Sequence, residues 1–240
     1  MTYNHMVTGT FLSRPNRFIA HVSVNGGETV CHVKNTGRLR ELLYPGASVL
    51  LEYHPDAEKN GRKTSYSLIG VYKEKAGCAG ERLLVNIDSQ APNQAAEEWL
   101  KSGGFYTRFN REITNIRREV TYGNSRFDLA FLEEGRQAFM EVKGVTLETN
   151  GAACFPDAPT LRGVKHIEEL AAASAAGYGA YILFVIQMKG IRSFSPNRNT
   201  HPAFADALSL AAASGVQVLA YDCIVTEDSM EVDSEVAVEL

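Results

Sequence analysis

The stretch "SRFDLAFLEEGRQAFMEVKGV", Ser125 to Val145, decides how this chain is read, because it holds two strongly apolar strands interrupted by charge. Strand side chains alternate between the two faces of a sheet. Phe127, Leu129 and Phe131 therefore share one face, while Arg126, Asp128 and Ala130 share the other. In the second strand Met140 and Val142 share a face, and Glu141 and Lys143 take the opposite one. If the strands are neighbours joined through "EEGR", Asp128 stands beside Glu141 and Lys143. A carboxylate inside a hydrophobic run costs stability unless something partners it. The plain account is a solvated sheet face with a cross-strand ion pair worth under about 1 kcal/mol. The chemical account is a site for a hard divalent cation, Mg²⁺ or Mn²⁺, since Mg²⁺ is commonly held by one or two carboxylates plus water and phosphate oxygens. Such a metal with a lysine beside it suits phosphodiester hydrolysis. Asp128 and Glu141 are then the ligands and Lys143 the group that orients water or stabilises the transition state, with Glu119 in "IRREVTY" either a further ligand from the preceding strand or a group acting through water.

Working outward, "NQAAEEWLKSG" has helical spacing at Ala95, Ala96, Trp99 and Leu100, and Gly103-Gly104 stops it. Strands follow at "NIRREVTY", "RFDLAFLE" and "QAFMEVKGV". Then come a helix in "APTLRGVKHIEELAAASAAG", a buried strand "YGAYILFVIQM", a polar loop "SFSPNRNTHP", a helix "AFADALSLAAAS" and a strand "VQVLAYDCIV". The order α-β-β-β-α-β-α-β predicts a mixed central sheet flanked by helices. Arg162 and Lys165 begin a helix just after the charged strand, where they can face a phosphate; His166 beside them reads as a half-exposed helix residue, and Gln187 ends a strand near the same edge. Arg192, Arg198 and His201 sit in the polar loop and read either as a mobile cover for the site or as an ordinary surface loop.

The first 86 residues have a different texture. "GTFLSRPNRFIAHVSV", "ETVCHVKN", "ASVLLEYHPD" and "KTSYSLIGVYKE" read as short strands separated by "NGG", "YPG" and "EKNG", and only "TGRLRELLYPG" looks helical. Such a run predicts a small antiparallel barrel of the OB type. Its loops carry Arg14, Arg17, Lys34, Arg38, Arg62 and Lys63, interleaved with Phe11, Phe18 and Tyr66. A cationic groove with stacking rings is how such barrels hold single-stranded nucleic acid.

Composition bounds these readings. The chain has 240 residues, 45% hydrophobic, enough for one large or two modest domains, here divided as 1–86 and 87–240. The formal charge is −4, split as +4 over residues 1–86 and −8 over the remainder, which ends in an acidic tail "EDSMEVDSEVAVEL". Cys31, Cys78, Cys154 and Cys223 are far apart, which disfavours a structural zinc site and points to free thiols. The start lacks the features of a signal peptide and no apolar run reaches the length of a membrane helix, so a cytoplasmic protein, nucleoid-associated when bound to DNA, is expected. DNA is the expected partner, no membrane is, and a homodimer is an admissible assembly.

Asp128 followed by Glu141-Val142-Lys143 on the second and third strands of this core resembles the PD-(D/E)xK nuclease superfamily over about residues 90 to 190. The segments "NTGRLRELLYPG", "VNIDSQAPN", "FDLAF", "EVKGVTLE", "FPDAPTLRGVKHIEEL" and "THPAFADAL" together resemble the sugar fermentation stimulation protein family over essentially the full length. That resemblance implies an N-terminal OB-like domain, a nuclease-like C-terminal domain, and an association with DNA and with the regulation of sugar (maltose) metabolism genes. Two activities compete: a Mg²⁺-dependent DNA nuclease, and a DNA-binding regulator on a nuclease-like scaffold.

Overall fold

Strands β1 (Met6–Ser13), β2 (Ile19–Val24), β3 (Gly27–Val33), β4 (Ser48–Tyr53) and β5 (Tyr66–Glu74) pair in a closed circuit. The structure is a computed structural model that describes residues 1–74 and 80–240. β1 pairs antiparallel with β2 and β4, β2 with β3, and β4 with β5, while a parallel β3–β5 pairing closes the barrel. This is OB connectivity, and β6 (Arg82–Asn86) extends it as a neighbour of β5. The alternation in the sequence is the cause: Ala20, Val22, Cys31, Val33, Val49 and Leu51 turn inward and are buried. Asn25 and Gly26 both have positive φ, 51° and 80°, which lets a two-residue turn match the twist of β2 and β3.

The expected helix in "TGRLRELLYPG" does not form; the segment is a series of turns. Two observations explain it. Leu39 adopts φ 50°, and the carbonyls of Gly37 and Arg38, which a helix would need as acceptors, take hydrogen bonds from the Arg14 guanidinium at 2.7 and 3.0 Å. Burial of Leu39, Leu42 and Leu43 overrides local helix propensity.

The chain forms two compact units, one of Met1–Ala91, Gln187–Lys189 and Ile224–Glu231, the other of Pro92–Ile186, Gly190–Cys223 and Val232–Leu240. The second begins with α1 (Ala91–Lys101) and a short α2 (Gly104–Phe109), followed by β7 (Ile113–Tyr122), β8 (Ser125–Glu133) and β9 (Arg136–Val145). A small hairpin, β10 (Glu148–Thr149) and β11 (Ala152–Phe155), precedes α3 (Leu161–Ala175), then β12 (Gly179–Ile186), β13 (Ser193–Pro196), α4 (Pro202–Ala213) and β14 (Gln217–Val225). The chain ends in β15 (Met230–Glu235) and β16 (Ala237–Val238).

The central sheet has the order β15-β14-β12-β9-β8-β7. β9, β12 and β14 are parallel, linked by α3 and α4 as crossovers, and β7–β8–β9 are antiparallel. Every residue of β12 is buried, as expected for a strand covered on both faces. Phe105 of α2 anchors one face through ring contacts with Phe131 and Tyr181 at 5.1 and 5.3 Å.

Two segments depart from expectation. The polar loop 193–202 contains β13, which pairs parallel with β11 and buries Phe194 completely. It is no mobile cover: Arg192 donates to the Asn150 carbonyl at 2.6 Å and Arg198 to Asp206 at 2.6 Å, while His201, at the N-cap position of α4, accepts the Thr160 N–H on Nδ1 at 3.4 Å. The acidic C-terminus is likewise no tail, because Met230, Val232 and Val236 are buried and place its acids on the outward positions of β15 and around β16. Among the described residues no cysteine forms a disulfide, and Cys78 lies outside them. No helix of the described residues is long and apolar enough to cross a membrane.

Glu133 closes the β8–β9 hairpin at 3% exposure, held by Arg111, by Arg136 at 2.9 Å and by the Tyr181 hydroxyl. Burial alone would push its carboxyl up, yet these donors win and hold it below the usual range. A depressed folded-state pKa stabilises the protein above the ordinary carboxylate range near about 4.3, and that stabilisation is lost as pH falls through the folded value. Glu133→Gln should therefore cost most at neutral pH, and the difference in Tm between it and the wild type should shrink steadily below about pH 4.3. A difference constant from pH 7 to pH 3 would refute this account.

Candidate metal centre

The ladder between β8 and β9 pairs Glu133 with Arg136 through to Leu129 with Met140. One step further, Asp128 comes opposite Glu141, and there the side chain takes over from the backbone: Asp128 Oδ2 accepts the Val142 N–H at 2.8 Å. Its other oxygen accepts from Asn93 Nδ2 in the first turn of α1, also at 2.8 Å. Asp128 is thus half-buried and locked on both oxygens.

Glu141 is deeper, at 1% exposure, which excludes the solvated-face account. Lys143 Nζ, two residues along the same strand, donates to its Oε1 at 2.5 Å. His166 Nδ1 of α3 binds the same oxygen. Arg162 Nε approaches the other His166 nitrogen at 3.4 Å; because a guanidinium only donates, Nε2 is the acceptor and Nδ1 carries the proton toward Glu141. Thr160 starts this helix by accepting the Gly163 N–H at 3.0 Å, and Arg162 and His166, four residues apart, then fall on one face.

With both donors on Oε1, the second oxygen of Glu141 is buried without a hydrogen-bond partner among the described residues. A buried carboxylate oxygen left bare is costly unless something is meant to fill it. The two acids are also driven apart electrostatically. Burial, reinforced by the Glu141 charge, pushes the Asp128 carboxyl up against the pull of Val142, Lys143 and Asn93. Burial would raise Glu141 as well, but the His166 hydrogen bond and Lys143 hold it below the usual range. A hard dication accepts such a set, with the bare Glu141 oxygen and Asp128 as donors and the remaining positions left to water or phosphate. Among the described residues no group of three or more His, Cys, Asp or Glu side chains is arranged around a common metal position, so the set is a two-carboxylate one.

Glu119 does not join it. This residue has φ 55° in β7, its side chain is solvent-exposed, and it pairs with Arg126 at 3.3 Å. That positive φ interrupts the alternation on which the expectation rested, although Arg118–Leu129 and Val120–Phe127 stay in register on either side. Conversely, Asn93 and His166 belong to the centre although the sequence marks them only as ordinary helix residues.

The expected nucleic-acid contacts divide. Arg17 and Arg38, with Arg40, line a cleft of about 470 Å³ in the first unit that includes Phe11 and Thr36. Arg17 lies over the exposed Phe18 ring at 4.7 Å. Arg14 also borders the cleft, but its guanidinium is spent on four carbonyls, those of Arg17 and Asn35 as well as Gly37 and Arg38. Lys34 is withdrawn from any phosphate by Asp88 at 2.9 Å and Glu52 at 4.0 Å. Arg62 braces the barrel through Ser67 Oγ at 2.8 Å, whereas Lys63 stays exposed on the same loop. Arg162 and Lys165 are exposed on α3, Lys165 donating to the Asn124 carbonyl at 3.2 Å. Gln187 belongs to the first unit, bonded to Asn86 and to the Asp88 carbonyl, both at 3.1 Å.

Two family models match the chain, the sugar fermentation stimulation protein RE domain over residues 90–229 and the SfsA N-terminal OB domain over residues 12–81. A sugar fermentation stimulation protein homolog of Desulfitobacterium hafniense is 54% identical over all of this chain and 99% of its own length. Another, of Ruminiclostridium cellulolyticum, is 47% identical with both chains fully covered. Among solved structures, SfsA of Pyrococcus furiosus in complex with Ca²⁺ superposes with a TM-score of 0.84 at 27% identity, covering 100% of this chain and 98% of that one.

Proposed function

The chain belongs to the sugar fermentation stimulation protein family, and from that premise we propose that it is a divalent-metal-dependent phosphodiesterase acting on DNA. The observation that carries this reading is the bare, buried Oε2 of Glu141 beside Asp128. Asp128 and Glu141 hold Mg²⁺ or Mn²⁺, a set compatible with the Ca²⁺ complex of the Pyrococcus furiosus relative. When bound, such an ion neutralises charge developing on the phosphodiester and lowers the pKa of water. The chain's own groups do the rest. Asn93 and the Val142 N–H fix the Asp128 carboxylate, and His166 with Arg162 behind it fixes the Glu141 rotamer. Lys143, only partly buried, presents an ammonium to the attacking water or to the phosphate oxygen. Residues 1–86 serve as the module that gathers DNA and 87–240 as the module that cuts it.

The test is incubation of single-stranded, double-stranded and branched DNA with Mg²⁺ or Mn²⁺, with binding measured in parallel. Metal-dependent cleavage of one of these substrates supports the reading. Tight binding without cleavage of any of them overturns it and leaves the second reading, a DNA-binding regulator of sugar (maltose) metabolism genes. That second reading draws on the arginine-lined cleft of the first unit.

Under either reading the cleft contributes through phosphates. Each guanidinium that neutralises one phosphate adds about 0.7 to the slope of log affinity against log salt for a single strand. Arg17→Ala with Arg38→Ala should reduce that slope by about 1.4 and weaken binding uniformly across sequences. Arg14→Ala instead should unfold the loop it pins, read as a fall in Tm. An unchanged salt slope in the double variant would remove the cleft from the DNA path.

A further inference from the structure

The second unit contains a separate cavity of about 330 Å³ where β9, β12 and β14 begin, lined by Arg108, Arg111, Arg136, Tyr178, Gly179 and Gln217 among others. Arg136 precedes Glu141 by five residues on β9, about 17 Å of extended strand, so this cavity is distinct from the carboxylate centre. We propose that it binds a small phosphate dianion, free or as a monoester, and this proposal does not rest on the reading of the metal centre.

Three observations carry it. First, three guanidiniums converge on one cavity whose described lining includes no Asp or Glu side chain, the neighbouring carboxylates Glu133, Glu134 and Glu235 standing outside it. The lining therefore keeps an excess positive charge.

Second, the guanidiniums are held in place. The buried Glu133 carboxylate grips Arg111 and Arg136, and Glu235 grips Arg108 through Nε at 2.9 Å. The Phe109 ring lies under both Arg108 and Arg111, with centroid distances of 5.2 and 5.7 Å. A guanidinium presents five N–H donors in a fixed fork, and each of these carboxylate contacts engages one of its nitrogens. The fork geometry of the remaining donors matches the oxygens of a phosphate, and orienting the group beforehand reduces the entropy lost on binding.

Third, Gly179 makes room for the clamp. A Cβ there would lie 2.9 Å from Glu133 Oε2 and 2.7 Å from Ala138 Cβ, so only glycine lets the carboxylate sit behind the cavity wall. The aromatic rings nearby are committed to each other, Phe109 to Tyr181 at 5.6 Å and Tyr178 to Phe139 at 5.5 Å. They offer no slot for a flat apolar ligand, which favours a compact anion.

The experiment is calorimetric titration of the full chain with inorganic phosphate, with glycerol 3-phosphate against glycerol, and with a 5′-phosphorylated dinucleotide against its unphosphorylated form. Gln217→Glu places a negative charge in the cavity without touching the Glu133 cluster. It should weaken phosphate binding by about tenfold or more while leaving Tm unchanged. Equal binding of inorganic phosphate and glycerol 3-phosphate identifies a small-molecule site, and binding confined to the phosphorylated dinucleotide identifies a strand-end site. Absence of saturable binding by any phosphate probe up to about 10 mM, or binding indifferent to Gln217→Glu, overturns the proposal.

Discussion

Asp128→Asn should lower metal-dependent DNA cleavage by about three orders of magnitude or more, since a metal's electrostatic contribution is worth several kcal/mol and each 1.36 kcal/mol is a factor of ten. Asparagine keeps the shape but offers one acceptor where Asp128 uses two, toward Asn93 and toward the Val142 N–H. A stability cost of about 1–3 kcal/mol follows, partly offset by removal of a carboxylate whose burial already raises its pKa. Lys143→Met should behave differently. It frees Glu141 Oε1 from one of its two donors, so metal binding by calorimetry should persist while the cleavage rate collapses. Because Asp128 titrates above the ordinary range, protons should also compete with metal at a higher pH than for a solvated aspartate. DNA binding should survive in both variants. Cleavage at the wild-type rate in Asp128→Asn would remove the carboxylate pair from the chemistry.

The second large effect concerns the scaffold. Phe105→Ala should destabilise the second unit by about 3–5 kcal/mol, the usual cost of emptying a fully buried aromatic site. Phe105 is 0% exposed and its ring meets Phe109 at 4.7 Å, Phe131 at 5.1 Å and Tyr181 at 5.3 Å. It is also the buried anchor of a six-residue helix, which cannot be stable without such packing. The neighbouring Tyr106, 48% exposed, is the matched control, and Tyr106→Ala should change stability by under about 0.5 kcal/mol. Denaturant unfolding of both variants gives the comparison, and a loss under about 1 kcal/mol for Phe105→Ala would contradict the packing argument.

Much of the fold was legible because periodicity records burial. The β7–β8–β9 meander, α3, β12, α4 and β14 appear in the order that the sequence predicts, and the short strands of the first unit form the expected barrel. Failures occurred where one side chain redirects the backbone. Arg14 removes the carbonyls that a helix at 36–46 would need, and a positive φ at Glu119 itself goes with its exposure to solvent. The C-terminal strands carried a signal in the alternation of Met230 and Val232, hidden by the density of acids around them.

The sequence by itself determined the two strands of alternating residues that set Asp128 opposite Glu141 and put Lys143 on the same face, because side-chain direction along a strand is a local property with a period of two. Only the tertiary structure decided what surrounds them. Whether Glu141 is solvated or buried, whether its second oxygen is satisfied, and whether His166 and Asn93 reach the two carboxylates depend on how α3 and α1 pack against the sheet. The same holds for the basic residues: a guanidinium becomes a brace at Arg14 or a cleft wall at Arg17 according to which carbonyls the fold brings within reach, and nothing in their local sequence distinguishes the two.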